Sequence, residues 1–364
     1  MIPFLDIHRQ YLTIKEEIGT AINAVIEKTA FSGGPFVVEF ESHFAKYCNT
    51  KYALGLNSGT SALHLAMEVL GIGPGDEVIL PANTFVATAW GVSYVGATPV
   101  FVDCDEYYNI DTYEVAKHIT SKTKAVIGVH LYGQPCDIEG LEKLCKEKNI
   151  YFVEDAAQAA GAVYHGIRIG GFGEMACYSF YPGKNLGAYG EGGGITTNNP
   201  TYFDRIQSLR NHGSVERYYH DEVGYNFRMD GIQAAVLDVK LKYLDQWNKT
   251  RQDIAARYLS EITNKGVKLP KIRENVESIY HLFVVQVADR DKFMSYLKVN
   301  GVGSALHYPV PCHLQKAYAY LGYKEGDCPK SEYHSAHCVS LPIFAEMTKD
   351  EVDKVIQVIN SYSE

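Results

Sequence analysis

The sequence has 364 residues, of which 46% are hydrophobic and 21% charged, so it has the composition of a globular protein that is long for one core. Its formal net charge of −9 argues against a protein that binds nucleic acid non-specifically, because such a protein needs a basic surface. A small anionic ligand is not excluded, since a local cluster of donors is enough to bind it.

The eight cysteines form no CxxC pair and no spacing typical of a metal site, so we expect reduced thiols in a cytoplasmic protein and no metal centre. The N-terminal sequence MIPFLDIHRQYL has no signal-type apolar run, and no apolar stretch is long enough to cross a bilayer. Residues 1–50 show neither a basic helix nor a helix-turn-helix pattern. We therefore expect neither a membrane nor a nucleic acid as a partner.

Short β-rich runs alternate with helical patterns from about residue 52 to 200, which predicts a sheet flanked by helices. The predicted strands are 76–81, 98–103, 124–130, 150–155, 175–180 and 193–198. Between them, SALHLAMEVLGI and DIEGLEKLCKEKN space their apolar residues three and four apart, as a helix does. Parallel strands would end at one edge of the sheet, where open α/β folds bind ligands.

The C-terminal part shows a different pattern. From 229 to about 262 the apolar residues recur at helical spacing, which predicts one long connecting helix. Residues 281–289, 292–301 and 303–311 are then predicted as strand, helix and strand, and a final helix lies near DEVDKVIQVINSYS. We predict a large domain at 1–235 and a connecting helix with a small C-terminal domain at 236–364.

Three segments each have an ordinary interpretation and gain a chemical one together. Asn57-Ser58-Gly59-Thr60 opens a predicted helix, where hydroxyls cap the helix or free N–H groups bind an anion. Asp155 ends a predicted strand, and Lys184 follows a later strand in YSFYPGKNLGAYGEGGG. Pyridoxal phosphate needs an amine for a Schiff base, a carboxylate for its ring nitrogen and donors for its phosphate. The trio therefore predicts Lys184 and Asp155 as catalytic residues, with Lys184 also acting as the base that moves the proton.

Five ordered motifs carry a resemblance to a known family. They are NSGTSALHLA, PANTFVATAW, VEDAAQAAGA, SFYPGKNLGAYGEGGG and GYNFRMDGIQAA. Over essentially its whole length the sequence resembles the sugar aminotransferases of the DegT/DnrJ/EryC1/StrS family. The resemblance implies the aspartate-aminotransferase-like fold of type I, with a mainly parallel sheet in the large domain and a smaller α+β domain. It also implies pyridoxal phosphate as cofactor, with pyridoxamine phosphate as its second form.

The resemblance assigns cofactor contacts to single positions. It implies that Asp155 pairs with the pyridine nitrogen, that Gln158 hydrogen-bonds the ring hydroxyl, and that Phe85 stacks on the ring, although a core phenylalanine is the alternative for Phe85. The implied phosphate contacts are Gly59, Thr60, Ser179 and, from the other subunit, Asn226, so a homodimer with shared active sites is implied as well. Some relatives replace the lysine by histidine and act as dehydratases, so Lys184 favours amino transfer.

The implied substrates are glutamate and a keto-sugar attached to a nucleotide. The segment with RYYH at 217–220 resembles enzymes acting at C3 of dTDP-deoxysugars. Arg217, Tyr219 and His220 are therefore candidates for contacts with pyrophosphate and sugar, with an exposed polar loop as the alternative. His307 and Tyr308 are candidates for closing over the sugar, or else for packing. The alternatives to a C3 aminotransferase are a C4 aminotransferase of the perosamine-synthase type and a regulatory protein that binds the cofactor without turnover.

Overall fold

The structure is a computed structural model that describes residues 1–363. Its helices are α1 Ile7–Glu27, α2 Pro35–Tyr47, α3 Gly59–Val69, α4 Ala87–Tyr94, α5 Thr112–His118, α6 Ile138–Lys148, α7 Pro200–Leu209, α8 Gly231–Leu241, α9 Leu244–Glu261, α10 Arg290–Val299, α11 Pro329–His337 and α12 Lys349–Asn360. Its strands are β1 Tyr52–Leu56, β2 Glu77–Pro81, β3 Thr98–Val102, β4 Thr123–Val129, β5 Tyr151–Asp155, β6 Val163–Tyr164, β7 Ile167–Arg168, β8 Met175–Ser179, β9 Gly193–Thr197, β10 Val267–Lys268, β11 Val276–Glu277, β12 Phe283–Val287 and β13 Cys338–Leu341.

A seven-stranded sheet in the order β1-β9-β8-β5-β4-β2-β3 forms the centre of the fold. Strands β3, β2, β4, β5 and β8 pair in parallel, whereas β9 runs antiparallel to both β8 and β1. The parallel strands are almost wholly buried, because helices cover both faces of such a sheet. This arrangement confirms the predicted α/β class with a mainly parallel sheet, and all six predicted strands exist within a residue or two.

Helices pack on both faces of the central sheet. One hydrophobic cluster contains residues of α3, α4 and α7 with strands β1, β2, β4 and β8, and a second joins α2, α6 and α8 to the opposite face. Ser58 caps α3 by accepting a hydrogen bond from the Ser61 N–H, and Asp137 caps α6 in the same way through Gly140. Strands β5 and β8 pair in parallel and therefore end side by side, with Asp155 and Ser179 at the same edge of the sheet.

A second core lies in the C-terminal part. The antiparallel sheet β10-β12-β13 packs with α9, α10 and α12 around buried residues such as Phe283, Phe293 and Val355. The buried Ile2 belongs to this cluster. Its N–H donates to the Gly301 carbonyl (2.8 Å), which attaches the N-terminus to this core. A small sheet, β11-β6-β7, completes the fold. The domain boundary at 235/236 remains a prediction.

Two predicted elements differ from the structure. The single helix predicted over 229–262 is two helices, α8 and α9, which separate at Lys242 and Tyr243. The break lets α8 pack on α1 and α2 while α9 turns towards the C-terminal core. The strand predicted over 303–311 is wrong, since only Ala305 forms a bridge, to Ser340 of β13. Pro309 and Pro311 lack the N–H groups that a strand needs there.

No helix within residues 1–363 is long and apolar enough to span a membrane.

All eight cysteines are free thiols and all are buried.

Candidate active site

A cavity of about 540 Å³ lies where β5 and β8 end. Its wall combines the start of α3, the loop between β8 and β9, and residues before β12 and after α10. The predicted site residues in this wall are Gly59, Thr60, Phe85, Asp155, Gln158, Ser179, Lys184, His307 and Tyr308. The structure therefore brings together predicted residues that are up to 249 positions apart in the sequence, from Gly59 to Tyr308.

Asp155 forms a fixed carboxylate in the cavity wall. It is only 5% exposed, Thr88 Oγ1 donates to its Oδ2 (2.7 Å) and the Ala157 N–H donates to its Oδ1 (3.1 Å). The hydroxyls of Thr84 and Thr88 are also hydrogen-bonded to each other (2.8 Å). Burial raises the pKa of Asp155, and the Thr88 hydrogen bond is the largest effect that lowers it again. A cationic group beside this carboxylate would favour its charged form.

Lys184 presents an amine of lowered basicity to the same cavity. Burial lowers the pKa of Lys184 to about 8, against the opposing charge of Asp155. Among residues 1–363, its ammonium group has no hydrogen-bond acceptor. The next residue anchors the loop, since Asn185 Nδ2 donates to Asn248 Oδ1 (2.8 Å) and to the Ile279 carbonyl (3.2 Å). The backbone beside Lys184 is thus fixed, whereas its amine makes no hydrogen bond within the described residues.

The loop after Lys184 turns in a space that only glycine fits. A Cβ at Gly187 would lie 2.4 Å from the Pro182 carbonyl oxygen, so a larger residue would displace the turn. The buried Lys240 of α8 donates to the Gly187 carbonyl (2.6 Å) and thereby ties the turn to the helix layer.

Gln158 and its neighbours form the polar part of the wall. Gln158 Oε1 accepts from the Tyr132 N–H (2.6 Å), and Gln158 Nε2 donates to the Tyr308 hydroxyl (3.0 Å). These two hydrogen bonds fix the orientation of the amide. The Phe85 ring lies 5.5 Å from the Tyr308 ring and is 49% exposed, so Phe85 is not a core residue.

The start of α3 supplies backbone donors. Ser58 caps the helix, as the ordinary interpretation of SGTS requires, and Gly59 and Thr60 follow in its first turn. A Cβ at Gly59 would lie 2.8 Å from Ser179 Cβ, so glycine is needed where the helix approaches the end of β8. Free N–H groups of a first helical turn bind anions such as phosphate.

These groups fit the cofactor that the resemblance implies. An unbonded amine, a buried carboxylate with fixed orientation, an amide and a helix N-terminus face one cavity. They match the amine, counter-charge and phosphate donors that pyridoxal phosphate requires. The residues that would hold it are Lys184, Asp155, Gln158 and the first turn of α3.

Four predicted contacts lie outside the cavity wall of this chain. Arg217, Tyr219, His220 and Asn226 belong to the exposed segment between α7 and α8. The Arg217 guanidinium lies over the Tyr218 ring (4.9 Å), and His220 Nδ1 is 2.9 Å from the His212 carbonyl oxygen. The Asn226 carbonyl accepts from Asn57 Nδ2 (3.4 Å). The roles assigned to these four residues remain predictions.

Thr88, Arg251 and His281 are among the residues of the cavity wall that were not predicted from the sequence. Thr88 lies three positions after Phe85, in the same motif. Arg251 shares one face of α9 with the buried Asn248, Ala255 and Tyr258, a helical spacing that signals a charged residue on a buried face. His281 precedes β12, and no local pattern marks it.

Solved structures of similar fold identify the class. The structure of DesV from S. venezuelae in complex with a ketimine intermediate matches with a TM-score of 0.97 and 43% identity over 99% of this chain and 97% of that one. NtdA from Bacillus subtilis, solved with the bound cofactor PMP, matches with a TM-score of 0.90 and 29% identity over 98% and 84%. The fold and the site together define an enzyme of the aminotransferase class.

The family follows from the sequence match. The chain belongs to the DegT/DnrJ/EryC1/StrS aminotransferase family, whose model matches residues 12–360. The resemblance found in the motifs is thereby confirmed.

Three similar relatives have descriptive names. The dTDP-3-amino-3,4,6-trideoxy-alpha-D-glucose transaminase of Streptomyces venezuelae is 42% identical over 100% of this chain and 96% of its own length. The dTDP-3-amino-3,6-dideoxy-alpha-D-galactopyranose transaminase of Aneurinibacillus thermoaerophilus is 44% identical over 100% and 99%. A protein of Geobacillus stearothermophilus named as a pleiotropic regulatory protein is 41% identical over 99% and 98%.

Proposed function

We propose that this chain uses pyridoxal phosphate to transfer an amino group from glutamate to the C3 keto group of a dTDP-3-keto-6-deoxyhexose. The product is a dTDP-3-amino-3,6-dideoxyhexose. The observation that carries the proposal is the placement of Lys184 and Asp155 in the wall of one cavity. The position of the amino group is supported by two relatives, at 42% and 44% identity, whose names specify 3-amino sugars.

When bound, pyridoxal phosphate supplies an aldehyde that accepts an amino group and a ring that withdraws electrons. The chain's own groups then handle protons. The Lys184 amine would take the proton from the amino-bearing carbon of the donor and return it to the aldehyde carbon of the cofactor, and a pKa of about 8 suits a base that works near neutral pH. The Asp155 carboxylate, oriented by Thr88, would keep a proton on the ring nitrogen. Gln158 would orient the ring hydroxyl through an amide that Tyr132 fixes.

A regulatory role is the second candidate, because the Geobacillus stearothermophilus relative is named for regulation. It differs from the enzymatic proposal in one measurable respect. An enzyme exchanges its aldehyde form for its amine form when glutamate is added, whereas a binder without turnover keeps one spectrum.

We also infer a cytoplasmic homodimer in which each active site receives Asn226 from the partner subunit. The exposed position of Asn226, outside the cavity wall of its own chain, supports this assignment. Co-expression of Lys184→Ala with Asn226→Asp tests it. Mixed dimers contain one site with both native residues and should recover activity that neither variant has alone, and no recovery would contradict shared sites.

Incubation with glutamate and either a C3-keto or a C4-keto dTDP-sugar tests the proposed reaction. We expect an amine on the C3-keto sugar, detected by mass spectrometry, with Lys184→Ala as the inactive control. An amine on the C4-keto sugar would favour the perosamine-synthase type of reaction, which needs the same cofactor residues. Product from neither sugar, with the spectrum unchanged by glutamate, would favour the regulatory candidate.

A further inference from the structure

Arg251 is a buried cation in the wall of the active-site cavity. It lies in the middle of α9, is only 4% exposed, and contributes to the same cavity as Lys184. Burial lowers the pKa of Arg251 to about 10, so the guanidinium stays charged at neutral pH. A buried charge is costly unless another group compensates it.

The protein satisfies one side of this guanidinium only. Arg251 Nη1 donates to the carbonyl of Ile343 (2.8 Å) and, at longer range, to those of Tyr280 (3.3 Å) and His281 (3.4 Å). Within residues 1–363, Nε and Nη2 have no hydrogen-bond acceptor. Neither atom is completely buried, so a ligand can reach both. Glu346 acts on Arg251 through its charge without forming an ion pair within 4.0 Å.

The unused edge of Arg251 has the geometry of a carboxylate site. Nε and Nη2 are two parallel donors, and such a pair binds both oxygens of a carboxylate. The wall around it includes Ile343 and His281, and His281 Nδ1 is 3.2 Å from Oδ1 of Asn185, the residue after Lys184. A carboxylate on this edge would thus lie in the same cavity as the reactive amine.

We propose that Arg251 binds a carboxylate of the amino donor through Nε and Nη2, an inference that rests on the proposed function. The donor has to carry this group because it is an amino acid, whereas the keto-sugar carries its negative charge on a bulky pyrophosphate. A 96% buried site with one bidentate edge suits a planar carboxylate better than a pyrophosphate. The opposite assignment remains as an outcome of the test.

Glutarate, a dicarboxylate without an amine, measures this contact without turnover. Titration calorimetry on the pyridoxal-phosphate-loaded protein should give binding to wild type, at least tenfold weaker binding to Arg251→Gln, and an intermediate affinity for Arg251→Lys. Arg257→Gln is the matched control, since Arg257 lies on the same helix and pairs with Glu261 and Asp353 at the surface. An unchanged glutarate affinity in Arg251→Gln would overturn the proposal. If Arg251→Gln does not fold, Arg251→Lys gives the same comparison.

The keto-sugar half of the reaction separates donor binding from other roles. Protein loaded with pyridoxamine phosphate needs no donor, so its single turnover with the keto-sugar should change less than about threefold in Arg251→Lys, while the KM for glutamate rises at least tenfold. A loss confined to the keto-sugar half would assign Arg251 to the pyrophosphate and overturn the proposal. A wild type that binds glutarate but aminates no keto-sugar would reject the proposed function and leave the carboxylate site in place.

Discussion

The cavity wall around Asp155 and Gln158 contrasts with the loop between α7 and α8 in how its residues are held. Asp155 and Gln158 are buried and hydrogen-bonded to Thr88, Tyr132 and Tyr308. In the loop, Tyr219 is 67% exposed and the structure places it outside the cavity wall. Contacts inside one chain fix the first region, whereas the contacts predicted for the second region are all with other molecules. Substitutions in the two regions should therefore differ in size and in kind.

The largest effect is expected at Lys184. Lys184→Ala removes the amine that we propose attaches to the cofactor and moves the proton, so turnover should fall by about 10⁴-fold or more. Borohydride should attach the cofactor covalently to wild type and leave it removable from the variant. Lys249→Ala is the control, because Lys249 pairs with Asp253 at the surface and lies outside the cavity wall. Covalent attachment in Lys184→Ala would contradict the assignment.

Asp155→Asn should have the next largest effect. An amide cannot stabilise a protonated ring nitrogen as a carboxylate does, so we expect turnover to fall by about 10²- to 10⁴-fold. Binding of the cofactor should stay measurable by absorbance, because the helix start and Lys184 are unchanged. Asp137→Asn is the control, since Asp137 caps α6 and asparagine caps as well as aspartate. Near-normal turnover in Asp155→Asn would refute the role of the carboxylate.

The burial of Lys184 predicts a pH-dependent stability of the cofactor-free protein. The pKa of Lys184 is about 8 in the fold, against 10.5 for an exposed lysine, so burying the charged form costs stability below pH 8. Lys184→Met should therefore be more stable than wild type by up to about 3 kcal/mol at pH 7. The difference should shrink as the pH rises from 8 to 10.5, because above pH 10.5 the folded and the unfolded wild type both carry a neutral amine.

Urea unfolding at a series of pH values measures this difference. The exposed Lys249, which pairs with Asp253, provides the control variant Lys249→Met, whose stability should follow that of wild type. A Lys184→Met variant that is less stable than wild type at pH 7 would show that the ammonium is not strained in the fold.

Thr88→Val is expected to have a smaller effect, of about tenfold on turnover. The variant keeps the volume of the side chain and removes the hydroxyl that donates to Asp155 Oδ2, and a hydrogen bond to a charged group contributes about 1.5–3 kcal/mol. The pH profile should also shift, since the pKa of Asp155 loses the largest effect that lowers it. Ser93→Ala, on the same helix, should leave the profile unchanged. An unaltered profile in Thr88→Val would mean that Thr88 does not act through Asp155.

The sequence was informative wherever local signals and tertiary position agree. Asp155 and Lys184 both follow apolar β-rich runs, and such runs end at one edge of a parallel sheet, so their proximity could be predicted. Residues 303–311 show the opposite case, because an apolar run interrupted by two prolines resembles a strand until the missing donors are counted. The break at Tyr243 has no glycine or proline to mark it, so helical periodicity extended through it.

Arg251 shows where prediction from one sequence stops. The spacing of Asn248, Arg251 and Tyr258 could have placed this arginine on a buried face, but its partners Tyr280 and Ile343 lie 29 and 92 positions away. The unsatisfied edge that suggests a ligand is a property of three-dimensional packing. No motif encodes it.

The smallest effects are expected in the loop, where they decide between a substrate contact and an exposed polar segment. If Arg217 meets the pyrophosphate, Arg217→Ala should raise the KM for the keto-sugar by about three- to tenfold, as the loss of one exposed charged contact allows, while the KM for glutamate stays constant. Arg217→Lys should recover part of this loss. Stability should change by less than about 0.5 kcal/mol in both variants, because the side chain lies at the surface with its guanidinium over the Tyr218 ring. Equal KM values for the keto-sugar in Arg217→Ala and wild type would show that Arg217 is an exposed residue without a substrate contact. The contrast with the cavity wall would then extend to function, because Arg217 would be exposed and without effect, whereas Asp155 and Lys184, both in the cavity wall, would be required.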